Sequence, residues 1–431
     1  MLAAFVLTAG SLADRFGRRR GLRLGLVLFT SASIVCASAN SIAVLDVARG
    51  FQGLGAAIMF ATSLAVLAAA FPEAKDRAGA FAAYGASIGA SFAIGPLIGG
   101  IFTTELGWRS IFIVNVPLGL ATLAGTRSVQ ESRDPSPRRP DWLGQALSAA
   151  GLFLFVLALL RANDVGWSST TTVAELTAAA VLLVAFLVVE RLVHEPMPPM
   201  RMFRNHAFTG AQVAAFAISA SFFAVFFFLT LYLQGILHLS PIQAGVAILP
   251  STVLLFVVSG ASAQLVGRVP FRTMIAGGLV VVALGLLTMT MAGVHSSWTV
   301  LLLGEVLAGV GTGVFNPAVA QVALASVSGR DNGLAAGVND AFRQTGIAMG
   351  IAVLGVLIPA RDALGTGSAS AYVDGLHTAL IVGAAVCALG ALASAVLLRR
   401  PALLGIGDAP LRVIAAADAA QGLARISSGR S

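Results

Sequence analysis

The stretch SLADRFGRRRG, Ser11–Gly21, packs one aspartate and four arginines between segments that are almost wholly apolar, with Arg23 just beyond. The composition of the whole chain explains the contrast. Of its 431 residues 57% are hydrophobic and 11% charged, and the mean hydropathy is +0.90. A soluble protein carries about 25% charged residues. This chain lacks the polar surface to face water and reads as an integral membrane protein. The net charge of +8 does not indicate nucleic acid, because the basic residues are scattered between apolar runs. Cys36 and Cys387 fall inside apolar segments as packing residues, with no disulfide framework. The five histidines lie in loops or near span ends without ligand spacing, so neither a metal nor a cofactor is expected.

A membrane-spanning helix needs about 20 mostly apolar residues. Complete candidates are 22–39, 45–70, 78–102, 110–127, 142–160, 173–193, 207–236, 241–263, 273–293, 298–325, 333–360 and 375–398. Before them Met1–Ala13 reads as the end of a span; its charges follow the apolar stretch, whereas a signal peptide carries them in front. Alternate loops hold nearly all the cations. One set carries Arg15 to Arg23, Lys75 and Arg77, Arg127 to Arg139, Arg191 to Arg204, Arg268 and Arg272, Arg330, and Arg399 and Arg400. The other carries only Arg109, Arg161 and Arg361. Cations concentrate on the cytoplasmic side, so the opening cluster is expected to be a cytoplasmic loop and the C-terminus cytoplasmic. The same pattern predicts one further span ahead of Met1.

An internal repeat runs through the chain. Gly10, Asp14, Gly17 and Arg18 align with Gly260, Gln264, Gly267 and Arg268. Arg49, Gly53 and Gly55 align with Glu305, Gly309 and Gly311, and Lys75, Asp76 and Gly95 with Arg330, Asp331 and Gly350. Two related halves are expected, 1–127 (one span short) and 207–399, with two inserted spans in 128–206 and a tail over 400–431. In such repeats the substrate site lies between the halves near the membrane midplane.

With Gly10 in front, SLADRFGRRRG resembles the loop signature G-x-L-A-D-R-x-G-R-R of the major facilitator superfamily. RGFQGLGAA from Arg49 resembles the family's fourth-span signature, and GASIGASFAIGPLIGG, Gly85–Gly100, the fifth-span signature of its antiporters. The inserted spans and PDWLGQALS, Pro140–Ser148, resemble the fourteen-span drug–proton antiporter branch. The resemblance implies an all-α polytopic fold and a gating role for Gly10, Asp14, Arg15, Gly17 and Arg18, which would hold the inward side closed. It also implies a kinked, close-packed face between the halves at Gly85, Gly89, Gly95, Pro96, Gly99 and Gly100. The family's first span, which often carries a coupling acid, is missing from the pattern here.

Charges inside spans cost roughly 2.5–3.5 kcal/mol each on insertion scales and so are functional suspects. Arg49 lies near the outer end of its span, where it either snorkels to the interface or serves coupling. Glu305 holds the repeat-equivalent position, and both are expected to face the opposite half across the central cavity. Asp340 and Arg343, three apart in GVNDAFRQTG, share a helix face; either they neutralise each other or they bind protons or substrate. In SFFAVFFFLTLYLQG, Ser221–Gly235, phenylalanine surrounds the helix; lipid explains most of it, while Tyr232 and Gln234 are candidates for the polar part of a substrate pocket.

These residues point to a multi-pass secondary transporter of the cell membrane, not an enzyme, that exports small amphipathic or cationic compounds against inward proton flow. No G-x-x-x-x-G-K-[ST] signature for nucleotide occurs. The alternatives are a metabolite symporter or exporter, a non-transporting membrane receptor, or an inactive truncated remnant.

Overall fold

A computed structural model describes residues 2–71, 74–133, 141–193, 200–265, 268–327, 332–358 and 368–399. The tail over 400–431, Arg330, Arg361, Gly267 and Pro140 lie outside the described residues, as do the side-chain environments of Lys75, Arg77, Gly85 and Gly89. The helices are α1 (Leu2–Phe16), α2 (Arg18–Ser38), α3 (Ile42–Ala70), α4 (Ala74–Leu106), α5 (Ser110–Ile113), α6 (Asn115–Gly125), α7 (Trp142–Val165) and α8 (Thr170–Leu192). They continue with α9 (Met200–Phe203), α10 (His206–Ile218), α11 (Ala224–Leu231), α12 (Pro241–Ser262), α13 (Phe271–Met289), α14 (Leu302–Ala325), α15 (Asn332–Leu357) and α16 (Ala369–Leu397). Eleven described helical segments are long and apolar enough to cross a membrane.

Polar residues set the boundaries. The side chains of Ser41, Asp141, Ser169 and Asn205 each accept a hydrogen bond from a backbone N–H in the first turn of α3, α7, α8 and α10, the groups that a helix start leaves unpaired. The expected span 110–127 runs on from α5 into α6 through Val114, whose helical backbone N–H donates to Ser110 O at 3.0 Å. The span expected to begin at 375 begins six residues earlier, at Ala369, so Asp374 and His377 lie within α16. Helix α4, Ala74–Leu106, contains the whole of the expected span 78–102. The span 207–236 is not a uniform helix. It carries two π-helical turns, Ser219–Phe223 and Tyr232–Ile236, a feature often found at functional sites.

From α10 to α16 the helices share one continuous apolar core that includes Phe222, Phe228, Leu279, Phe315 and Tyr372. The helices α1 to α6 pack in a second group, in which α2 lies along α3 and α6. The groups meet along α4 with α12 and along α1 with α15. The repeat has a physical counterpart: Gly55 brings α3 against the backbone of Phe29 on α2, and its aligned Gly311 brings α14 against the backbone of Gly278 on α13. The hairpin α7–α8 is pinned at one end by the Arg161–Glu175 ion pair (2.7 Å). It reaches the rest of the fold through α7, which packs on α1 and α15; Thr8 donates to Gln145 there. Helix α8 is the least buried span, and an open apolar hollow of about 500 Å³ along Val181, Val184 and Val188 suits lipid contact.

Candidate functional site

At the turn between α1 and α2 Arg18 Nε donates to Asp14 Oδ1 at 2.7 Å, one helical turn apart. Gly17 between the helices has φ +120°, a conformation that side chains with a Cβ rarely adopt. A Cβ there would also lie 2.7 Å from Glu131 Oε1. Glu131 is the residue that sequence reasoning missed. Its carboxylate accepts from Arg19 N (3.0 Å) and sits 3.8 Å from Arg20 Nε. It thus does for the start of α2 what no capping side chain does, and its negative charge suits a helix N-terminus. Arg18 N donates to Ser132 O, Arg19 to Arg127 O and Arg23 to Thr126 Oγ1. The arginine cluster is therefore clasped to the segment after α6. The one glutamate of an arginine-rich loop was the available signal.

The contact between α4 and α12 is reciprocal. A Cβ on Gly100 would lie 2.5 Å from Pro241 O, and one on Gly245 would lie 2.5 Å from Pro96 O. Each helix thus offers a proline carbonyl and, four residues on, a glycine that receives the partner's carbonyl. Gly95 and Gly99, from the same motif, have no atom within 4 Å of a built Cβ. The motif therefore splits into a contacting pair, Pro96 and Gly100, and two glycines that face open space. Pro241 and Gly245 were not singled out by sequence.

The interior charges are held differently from expectation. Arg49 donates to Gln52 Oε1 (2.6 Å), which in turn donates to Ser33 (2.6 Å), and its guanidinium lies 5.8 Å over the Phe112 ring. All its partners belong to α2, α3 and α5. Glu305 is 1% exposed, and the polar neighbour within hydrogen-bonding reach is Ser251 on α12. The polar neighbours of both side chains thus come from their own group of helices. Asp340 and Arg343 do share a face and lie within range of each other's charge. No contact ion pair joins them among the described residues. Arg343 instead stacks 5.7 Å over Phe223 and reaches Asn316 Oδ1 at 3.4 Å. Tyr84 on α4 lies within the field of Asp340, so these two residues bear on each other across the groups. Beside Asp340, Asn339 donates to the fully buried Gln212 of α10 (3.1 Å).

A cavity of about 230 Å³ opens next to this cluster. It is lined by Phe222, Phe223 and Phe226, by Ser251, Thr252 and Leu255 of α12, and by Ile347 of α15. The first π turn turns Phe222 and Phe223 toward it. Tyr232 and Gln234, the expected polar residues, do not line it. Tyr232 is fully buried with its hydroxyl donating to Gly293 O (2.7 Å), and Gln234 is exposed. The polar groups of the cavity are Ser251 and Thr252.

The profile of the Major Facilitator Superfamily matches residues 1–351 and 213–416. This chain belongs to the major facilitator superfamily. Among its curated relatives is the multidrug resistance protein Stp of Mycobacterium tuberculosis, 39% identical over 83% of this chain and 67% of the relative. The tetracenomycin C resistance and export protein of Streptomyces glaucescens is 32% identical over 84% of this chain and 67% of the relative. Among solved structures, the human organic anion transporter MFSD10 superposes with a TM-score of 0.60 at 17% identity, covering 92% of this chain and 81% of the other. That likeness shows the fold. A superfamily member with these relatives is a membrane transport protein and not an enzyme.

Proposed function

We propose that this chain is a proton-coupled exporter of small amphipathic compounds, cationic ones included. It works by alternating access in the cell membrane, with its C-terminus in the cytoplasm. The observation that carries the reading is the 39% identity, over most of the chain, to a protein named for multidrug resistance. The aromatic cavity beside Asp340 and Arg343 supports it, since small-molecule sites are mostly apolar with a few convergent polar groups.

In this reading the outer seam is the α4–α12 contact, which parts to release substrate, while the Asp14–Arg18–Glu131 clasp keeps the inward side shut and breaks when that side opens. Asp340 exchanges the proton, with Arg343 biasing its charge and Tyr84 sensing it from α4. Arg49 steadies α2 against α3 near the cavity mouth, and Glu305 is a second exchangeable group. The test is export from proteoliposomes holding the purified chain, with a proton gradient imposed and an antibiotic panel as substrates. Export that collapses with a protonophore is expected. Export that survives collapse of the gradient would overturn the coupling.

A further inference from the structure

Among the described spans α8 is the one the protein covers least, and one stretch of it is shaped. An open hollow of about 500 Å³ is lined by Ala180, Val181, Val184, Ala185, Val188 and Val189. It takes up only half of the helix. At about 1.5 Å per residue, α8 runs about 15 Å from its start at Thr170 to Ala180, and the hollow occupies about the next 15 Å. The hydrocarbon core of a membrane is about 30 Å thick. The hollow therefore opens near the midplane and ends at one membrane surface, which gives it the depth of a single leaflet.

That surface is marked by side chains. Glu190 Oε1 lies 2.9 Å from where a Cβ of Gly144 would stand, so the last turn of α8 is level with the first turn of α7. Trp142 is exposed there, and Trp167 is exposed in the turn at the other end of the hairpin; tryptophan favours both membrane–water interfaces. Arg191 ends the valine stripe. It follows Val188 by three residues and Val184 by seven, on the same helix face, and it is exposed. No ion pair engages Arg191 among the described residues. The acids at this end lie on the other side of the helix: Glu190 is buried, and with Asp141 it converges on Gly144 between α7 and α8.

We infer that the α8 hollow is a binding site for an anionic phospholipid, with the phosphate on Arg191 and one acyl chain along Val188, Val184 and Val181. The stem of a long helical side chain lies back over the preceding turn, and a guanidinium reaches for the headgroup layer, so Arg191 stands at the mouth of the hollow. The half-charge at the C-terminus of α8 opposes a phosphate, but the full charge of Arg191 exceeds it. A zwitterionic headgroup brings the same phosphate with a cation attached, which Arg191 repels. A second copy of this chain is a poorer occupant. Its helix would run along the whole of α8, whereas the hollow stops near the midplane and the other half carries Glu175 paired with Arg161. The inference needs only that the hairpin is embedded in a membrane and does not depend on the efflux reading.

The test places the full chain in nanodiscs of equal parts phosphatidylglycerol and phosphatidylcholine, with a trace of one or the other carrying a photoreactive diazirine midway along a chain. After illumination, mass spectrometry maps the labelled peptides. Labelling of 180–189 is referred to that of Val280 and Leu284, exposed residues on α13. One arginine near the headgroups favours an anionic lipid by about fivefold. Phosphatidylglycerol should therefore label α8 about fivefold more than phosphatidylcholine does, and α13 equally. Arg191→Gln should bring the α8 ratio to within about twofold, while Arg191→Lys, which keeps the charge, should retain it. Val184→Phe fills the hollow without touching the charge; it should lower labelling of α8 by both lipids and leave α13 unchanged. Equal labelling by the two lipids in the parent, a preference that survives Arg191→Gln, or undiminished labelling of Val184→Phe overturns the inference. So does an α8 that neither lipid labels while Val184→Cys chains cross-link to one another, which would give the hollow to a second copy.

Discussion

Substituting Gly245 by alanine adds a single methyl group to the α4–α12 seam, and the structure sets the size of the response. The new Cβ would stand 2.5 Å from Pro96 O, 3.0 Å from Pro96 C and 3.3 Å from Leu97 Cα. All three are backbone atoms, so no side chain can swing away. Reaching an ordinary separation of about 3.5 Å requires the helices to part by roughly 1 Å. Overpacking of this kind costs about 1–3 kcal/mol. The extra helix propensity of alanine, up to about 1 kcal/mol, acts on the open and closed seam alike and cancels. The closed state should therefore lose about 5- to 150-fold in population relative to the open one. Gly100→Ala should act the same way through Pro241 O, and Gly95→Ala and Gly99→Ala, which meet open space, should not. Spin labels on cysteines at Leu106 and His238, beside the seam, report the separation by double electron–electron resonance; native Cys36 and Cys387 are fully buried and stay unlabelled. A shift from short to long distances in Gly245→Ala and Gly100→Ala alone is expected. The same shift in Gly99→Ala, or none in Gly245→Ala, would refute the reasoning.

Removing the carboxylate of Glu131 with Glu131→Gln should release the segment after α6 from the start of α2, a loss of about 1–3 kcal/mol for a hydrogen bond to a charged group, discounted for partial exposure; faster limited proteolysis after Arg127 would register it, and parent-like resistance would count against the clasp. Asp14→Asn should leave the protein in the membrane but slow export severely, and equal export from equally abundant mutant protein would remove Asp14 from the gate. Asp340→Asn should abolish gradient-driven export while sparing substrate exchange; unaltered gradient-driven export would move coupling to Glu305. Tyr232→Phe should lower the thermal midpoint slightly, in line with about 0.5–1.5 kcal/mol for one hydrogen bond, and leave the export spectrum unchanged; an altered spectrum would return Tyr232 to the pocket.

The spans were legible in the sequence because burial in lipid demands an unbroken apolar run, and such runs need no partner to be recognised. The interruptions were less so. Nothing in or around SFFAVFFFLTLYLQG announces the two π turns, Ser219–Phe223 and Tyr232–Ile236. Pairings were the least legible. The spacing of Asp340 and Arg343 fixes a common face, yet the arginine is long enough to prefer Phe223 and Asn316, which come from other helices. Tyr232 sits in the right aromatic run, but its hydroxyl finds a carbonyl sixty-one residues away, at Gly293.

The two aligned segments share some contacts and differ in others. Gly55 and Gly311 keep one task, since both stand where two helix backbones touch and any side chain would intrude. Arg49 and Glu305, aligned by the same repeat, have no such constraint. Each has recruited polar neighbours from its own side: Gln52 with Ser33 for the arginine, Ser251 for the glutamate. Steric demand at a crossing is the same in both segments, so it preserves the residue. A charge in a span only requires some partner, and the partner can be chosen locally. The aligned glycines therefore locate the shared architecture, while the aligned charges mark where the two segments have taken different work. Glu305 beside an aromatic cavity and Arg49 beside Phe112 are the places to look for asymmetry in the transport cycle.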